Sequence, residues 1–243
     1  MPKKTSARQY IFAGLILSLS AGIASAHGVW MTERYGQYTI VYGHGSADDA
    51  YDPAKIQSLT LFRRDGSALD AKRVDHATHV SFEPSDDVAV AAFAMDNGYW
   101  SKAAGGASVN KPKTEVAGAV SGGRYLKYGV SQFSPLSGAP KAVGHYLEVV
   151  PLSDPMTLEV GDTLSVRVLL AGEPVSNVRI IPDYLTDGHN RSIRTDAQGI
   201  AAFEIRNNGL NVVSAVLKED LSDKTLADTA EHLATYSFNL YVE

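Results

Sequence analysis

Gly161-Asp162-Thr163-Leu164-Ser165-Val166-Arg167-Val168-Leu169-Leu170 decides the fold class. Leu164, Val166, Val168 and Leu170 recur at every second position, the mark of a strand with one buried face. Turn signals bound it at Val160-Gly161-Asp162 and Ala171-Gly172-Glu173-Pro174. Further strands follow outward from it, at 146–150, 157–160, 178–182, 200–205, 211–218 and 235–242. Asp196-Ala197-Gln198-Gly199 supplies another turn, and the spacing predicts an immunoglobulin-like or prealbumin-like β-sandwich over residues 145–243. Residues 221–230 read as a helical turn or a loop.

The first half is also all-β. Tyr38-Thr39-Ile40-Val41-Tyr42, Leu59-Thr60-Leu61-Phe62, Val80-Ser81-Phe82 and Val88-Ala89-Val90-Ala91-Ala92-Phe93 are β-branched, aromatic or apolar runs broken by turns. They predict an N-terminal β domain over 27–100. Asp52-Pro53 is a start signal for a short turn or helix over 54–58. Residues 101–144 are rich in Gly and Ser and contain Pro112, Pro135 and Pro140, which reads as a long loop-rich connection.

Residues 1–26 have the form of a secretory signal peptide. Lys3, Lys4 and Arg8 precede the apolar run Ile11–Leu19, and Ala24-Ser25-Ala26 is a small-residue cleavage pattern. The apolar run is too short for a membrane span. Cleavage after Ala26 makes His27 the first residue, offering an α-amine and an imidazole that chelate one metal together.

Composition narrows the chemistry. The 243 residues carry 22 Lys and Arg against 27 Asp and Glu; Lys3, Lys4 and Arg8 are the only charged residues before His27, so the net charge of −5 becomes −8 on cleavage. Such a chain lacks the clustered basic residues that nucleic-acid phosphates require, and its acidity suits cation capture. Cysteine is absent, which excludes thiolate metal sites and thiol redox chemistry. No nucleophile elbow, phosphate loop, nucleotide fingerprint or His-Glu-x-x-His is present. Asp48 and Asp49 are adjacent carboxylates without a visible catalytic partner.

Of the seven histidines, three are candidate metal ligands. His27 has the terminal amine, His44 lies between Gly43 and Gly45 at a strand end, and His232 follows Glu231 near the last strand. Nitrogen and oxygen donors of this kind suit nickel, cobalt, copper or zinc. His76 and His79 read as surface residues on opposite faces of a strand, His189 as a turn residue, and His145 precedes a strand. Trp30 and Trp100 suggest a competing reading, in which an aromatic platform binds a glycan.

Several stretches together resemble a known family. They are 26–30 (AHGVW), 41–45 (VYGHG) with 51–55 (YDPAK), 98–102 (GYWSK), 147–155 (LEVVPLSDP), 161–169 (GDTLSVRVL) and 195–199 (TDAQG). The chain resembles the bacterial periplasmic nickel/cobalt uptake-associated domains (NikM-like or NikK-like). That resemblance implies a secreted, mostly β protein that passes nickel or cobalt to an inner-membrane transporter, with His27 and His44 falling in matched stretches. The expected protein is therefore a non-enzymatic periplasmic metal binder. The alternatives are an envelope glycan- or protein-binding module and a copper oxidase with a terminal-histidine site.

Overall fold

The computed structural model describes residues 27–70, 72–83, 85–186 and 191–240. The expected signal peptide and His189 lie outside them.

In chain order, β1 (Gly28–Arg34) and β2 (Gln37–Gly43) form a hairpin, followed by β3 (Ile56–Phe62), β4 (Ala68–Leu69), β5 (Arg73–Asp75) and β6 (Val80–Phe82). Next come the long β7 (Val90–Ala103), the short β8 (Ser108–Val109) and the long β9 (Ala119–Gln132). Then follow β10 (Leu147–Pro151), β11 (Thr163–Leu170), β12 (Glu173–Pro174), β13 (Arg179–Ile181) and β14 (Ile193–Arg194). The chain ends with β15 (Ile200–Glu204), β16 (Leu210–Asp220) and β17 (Thr229–Asn239). Among the described residues the helical elements are three short 3-10 turns, so the protein is all-β as expected.

Three sheets stack as layers of a β-sandwich-like fold. The central sheet has nine strands, ordered β14-β13-β16-β17-β9-β7-β3-β4 with β8 paired to β7. Alternate residues of its strands feed opposite cores. Val213, Ala234 and Ala92 pack with Leu147, Leu164, Val166 and Val168 of the β10-β11-β12-β15 sheet. Ala91, Phe93 and Met95 instead meet Val29, Met31, Ile40 and Phe82 of the β1-β2-β6-β5 sheet. Val212 and Leu233 meet Trp30 and Val41 on that same side. Burying both faces explains why β17 is almost continuously apolar or small from Leu233 to Phe238.

The β1–β2 turn is closed by Tyr35 (φ 52°) and Gly36 (φ 75°), the paired left-handed conformation that matches strand twist. Strand β1 has a free edge, and that edge is turned onto the central sheet. The Met31 N–H donates to Ser131 Oγ at 3.1 Å, and the Thr235 hydroxyl donates to the Val29 carbonyl. Hydroxyls of β9 and β17 thus satisfy backbone groups that would otherwise be unpaired.

Two expectations are corrected. Residues 119–132, read as loop, form β9 at the middle of the central sheet, antiparallel to β7 and parallel to β17. Glycine here makes room for neighbours instead of breaking the strand. A Cβ on Gly129 would stand 2.2 Å from the Phe93 ring, its cross-strand partner. Residues 157–160, read as a strand, are not one: Thr157 ends a 3-10 turn at Pro155–Thr157, which Asp154 caps by accepting from the Met156 N–H, and the next strand begins at Thr163. The turn expected over 54–58 forms over Pro53–Lys55, capped by Asp52, and residues 56–58 already belong to β3.

Candidate functional site

The β1–β2 register runs from Arg34 and Gln37 to Gly28 and Gly43. One step further along the same ladder stand His27 and His44, so antiparallel pairing brings them to one end of the sheet. His27 stacks on Tyr42 at 4.9 Å between ring centroids, inclined by 19°. Its Nε2 lies 2.8 Å from Asp49 Oδ2. A carboxylate only accepts, so Nε2 carries the proton and a neutral ring leaves the Nδ1 lone pair unprotonated.

His44 is placed by Tyr184, which follows β13. The two rings meet edge to face at 5.5 Å, with His44 Nδ1 3.2 Å from the Tyr184 hydroxyl. That hydroxyl donates to the Gly43 carbonyl at 3.3 Å. The Tyr184 ring occupies the space a Gly28 side chain would need, since a Cβ there would come within 2.7 Å of it. Burial holds the Tyr184 phenol well above its ordinary range. Tyr42 is held by Asn97 Nδ2, which donates to its hydroxyl at 3.0 Å.

His232 does not join this pair. Along β17, Leu233 packs beside Trp30 and Tyr184, so His232 projects from the opposite face. There Nε2–H donates to Glu219 at 3.1 Å and Nδ1 accepts from the Tyr128 hydroxyl at 3.2 Å. Both ring nitrogens are engaged. Burial lowers the His232 pKa, and Glu219 pulls in the other direction. Among the described residues no three His, Asp or Glu side chains are grouped closely enough to hold a metal.

The remaining candidates are also located. His76 and His79 sit in the β5–β6 turn, where their rings stack at 4.2 Å, because a turn and not a strand lies between them. His145 lies beside Tyr128 on the far face. Trp30 is a core residue, 3 % exposed, and cannot serve as a binding platform. Trp100 is half-buried, and its indole N–H donates to the Asn97 carbonyl. Asp48 pairs with Arg34.

Residues that sequence reasoning passed over complete the floor beneath His27. The Lys127 ammonium lies 5.8 Å from the centre of the Tyr42 ring. Lys55 donates to Asn97 Oδ1 at 2.8 Å and to Asn110 Oδ1 at 3.2 Å. It also stands 5.9 Å over Trp100. Glu231 faces Lys127 from β17, and burial raises its pKa. Lys127 gave no signal because it lies in the segment read as loop.

Residues 24–219 match a domain of unknown function, DUF4198. The chain belongs to the DUF4198 family. No curated protein matches the sequence. The DUF4198 match takes in His27, His44, Asp49, Lys127 and Tyr184 and ends before His232. No helix among the described residues is long and apolar enough to cross a membrane.

Proposed function

We propose that this DUF4198 protein is exported, cut after Ala26 and kept in the periplasm as a non-enzymatic metal-binding protein. In this reading it captures nickel or cobalt for an inner-membrane uptake system. The observation that supports it is Asp49 on Nε2 of His27, at the end of the β1–β2 hairpin that His44 also adjoins. Cleavage would free the α-amine of His27. That amine and Nδ1 of the same residue close a six-membered ring around a metal, and Asp49 leaves Nδ1 unprotonated for the purpose. His44 supplies imidazole nitrogen from the neighbouring strand.

The donor set is nitrogen and oxygen, with no sulfur, which suits nickel in a square-planar or tetragonal site and suits copper as well. The α-amine has a reference pKa of about 7.7–8.0, so a metal displaces its proton near neutral pH. The reading is tested by calorimetric titration of nickel, cobalt, copper and zinc into protein beginning at His27. A matched sample carries one extra residue before His27. Tight binding that the extension abolishes is the expected result, and the metal order identifies the cargo. Equal binding by both samples, or none by either, overturns it.

A further inference from the structure

Lys127 is 1 % exposed, yet among the described residues its ammonium makes no hydrogen bond and no ion pair. An ammonium has three donors, and leaving them unused in a buried position costs several kcal/mol as a rule. Glu231 opposes its charge, while Lys55 adds a second positive charge. Glu231 is itself shared with Lys218 and Arg179. The fully enclosed, unpartnered polar atoms among the described residues are Ser101 Oγ, Arg124 Nε, Arg167 Nε and Ser214 Oγ. Lys127 Nζ is not one of them, so it touches accessible space. Tyr42, Lys55 and Glu231, which act on this cation, are half-buried.

The Tyr42 ring is common to this cation and to His27. Two ammonium groups so near a metal site repel a bare divalent ion and attract an anionic complex of it. We propose that Lys127, with Lys55, Asn97 and Tyr42, binds a carboxylate of a small-molecule chelator. The metal then reaches this protein as an anionic carboxylate chelate and not as the bare ion. This inference rests on the metal-binding reading of His27 and His44.

Equilibrium dialysis tests it, with nickel and citrate quantified separately on protein beginning at His27. The probes are nickel chloride, the one-to-one nickel–citrate complex and citrate alone. Wild-type protein is expected to retain citrate together with nickel in equal amounts. Lys127→Met is expected to retain nickel but lose citrate at least tenfold. Lys55→Met, at a half-exposed position, provides a second variant and is expected to weaken citrate retention. From the nickel–citrate probe, nickel retained by the wild type without citrate, or citrate retained undiminished by Lys127→Met, overturns this inference alone. No nickel retained from any probe overturns the metal-binding reading and this inference with it.

Discussion

Phe93 and Gly129 stand opposite one another between β7 and β9, and the Phe93 ring fills the volume a Gly129 side chain would take. Gly129→Ala drives a Cβ into a fully buried ring and is expected to cost about 1–3 kcal/mol by overpacking. Gly138→Ala, where nothing lies within 4 Å, serves as the control and is expected to be close to neutral. Urea denaturation of both variants checks the contrast.

His232→Leu separates structure from metal binding. The substitution leaves the Tyr128 hydroxyl and Glu219 without their buried partner, at a cost of about 1–3 kcal/mol. Nickel affinity is expected to stay within a factor of two, since His232 faces away from His27 and His44. A large loss of affinity in this variant would mean that the far face belongs to the site after all.

The same histidine sets a pH dependence. Burial holds its folded pKa below 6.5, so the unfolded chain binds a proton more readily. This contribution to stability is complete well above pH 6.5 and is lost as pH falls through that value. Chemical denaturation between pH 5 and 8 should show a smaller acid loss in His232→Leu than in the wild type.

Asp49→Ala removes the acceptor that fixes the His27 ring. Nickel affinity is expected to fall about 10–100-fold. Stability is expected to change by less than about 1 kcal/mol, because the pair is largely exposed. Titration calorimetry and a thermal melt on the same sample distinguish these effects.

Lys127 carries the opposite sign from an ordinary paired base. Burial pushes its ammonium down to about 8, below the ordinary 10.5. Between these values the unfolded chain holds the proton and the folded chain does not, so stability rises with pH across that window. Wild type should gain on Lys127→Met by about 3 kcal/mol from pH 8 to 10.5, at 1.36 kcal/mol per pKa unit. A pH-independent difference in unfolding free energy between the two proteins would show that Lys127 is not buried as a cation.

The strands with clean alternation were legible in the sequence. Leu164, Val166 and Val168 are all fully buried on one face of β11, as their spacing requires. Strand β9 was not, because Gly122, Gly123 and Gly129 look the same in a sequence whether they open a loop or admit a neighbouring ring. The start of β17 was missed for a related reason. Thr229-Ala230-Glu231-His232 lacks apolar alternation, since Glu231 and His232 face different polar surroundings on the two sides of the sheet. Glu231 and His232 are adjacent, so whichever of them faces His27, the other cannot, and sequence alone does not choose the face. The placing of His27 and His44 at one end of the hairpin follows from the tight turn at Tyr35-Gly36, but only once that turn's length is known. Lys127 had no signature at all: its significance is the absence of a partner, which is a property of three-dimensional space.

Strand β17 has one more consequence, for the order in which the molecule is made. It is the last strand, yet it lies between β16 and β9 in the middle of the nine-stranded sheet. Ser131 and Ser237, bonded across that junction, are 106 residues apart. The central sheet therefore remains split in two until Thr229–Asn239 have been synthesised. Folding that waits on such distant pairing is intrinsically slow. The strands on either side can pair among themselves beforehand, and β17 is the keystone that turns two half-sheets into one.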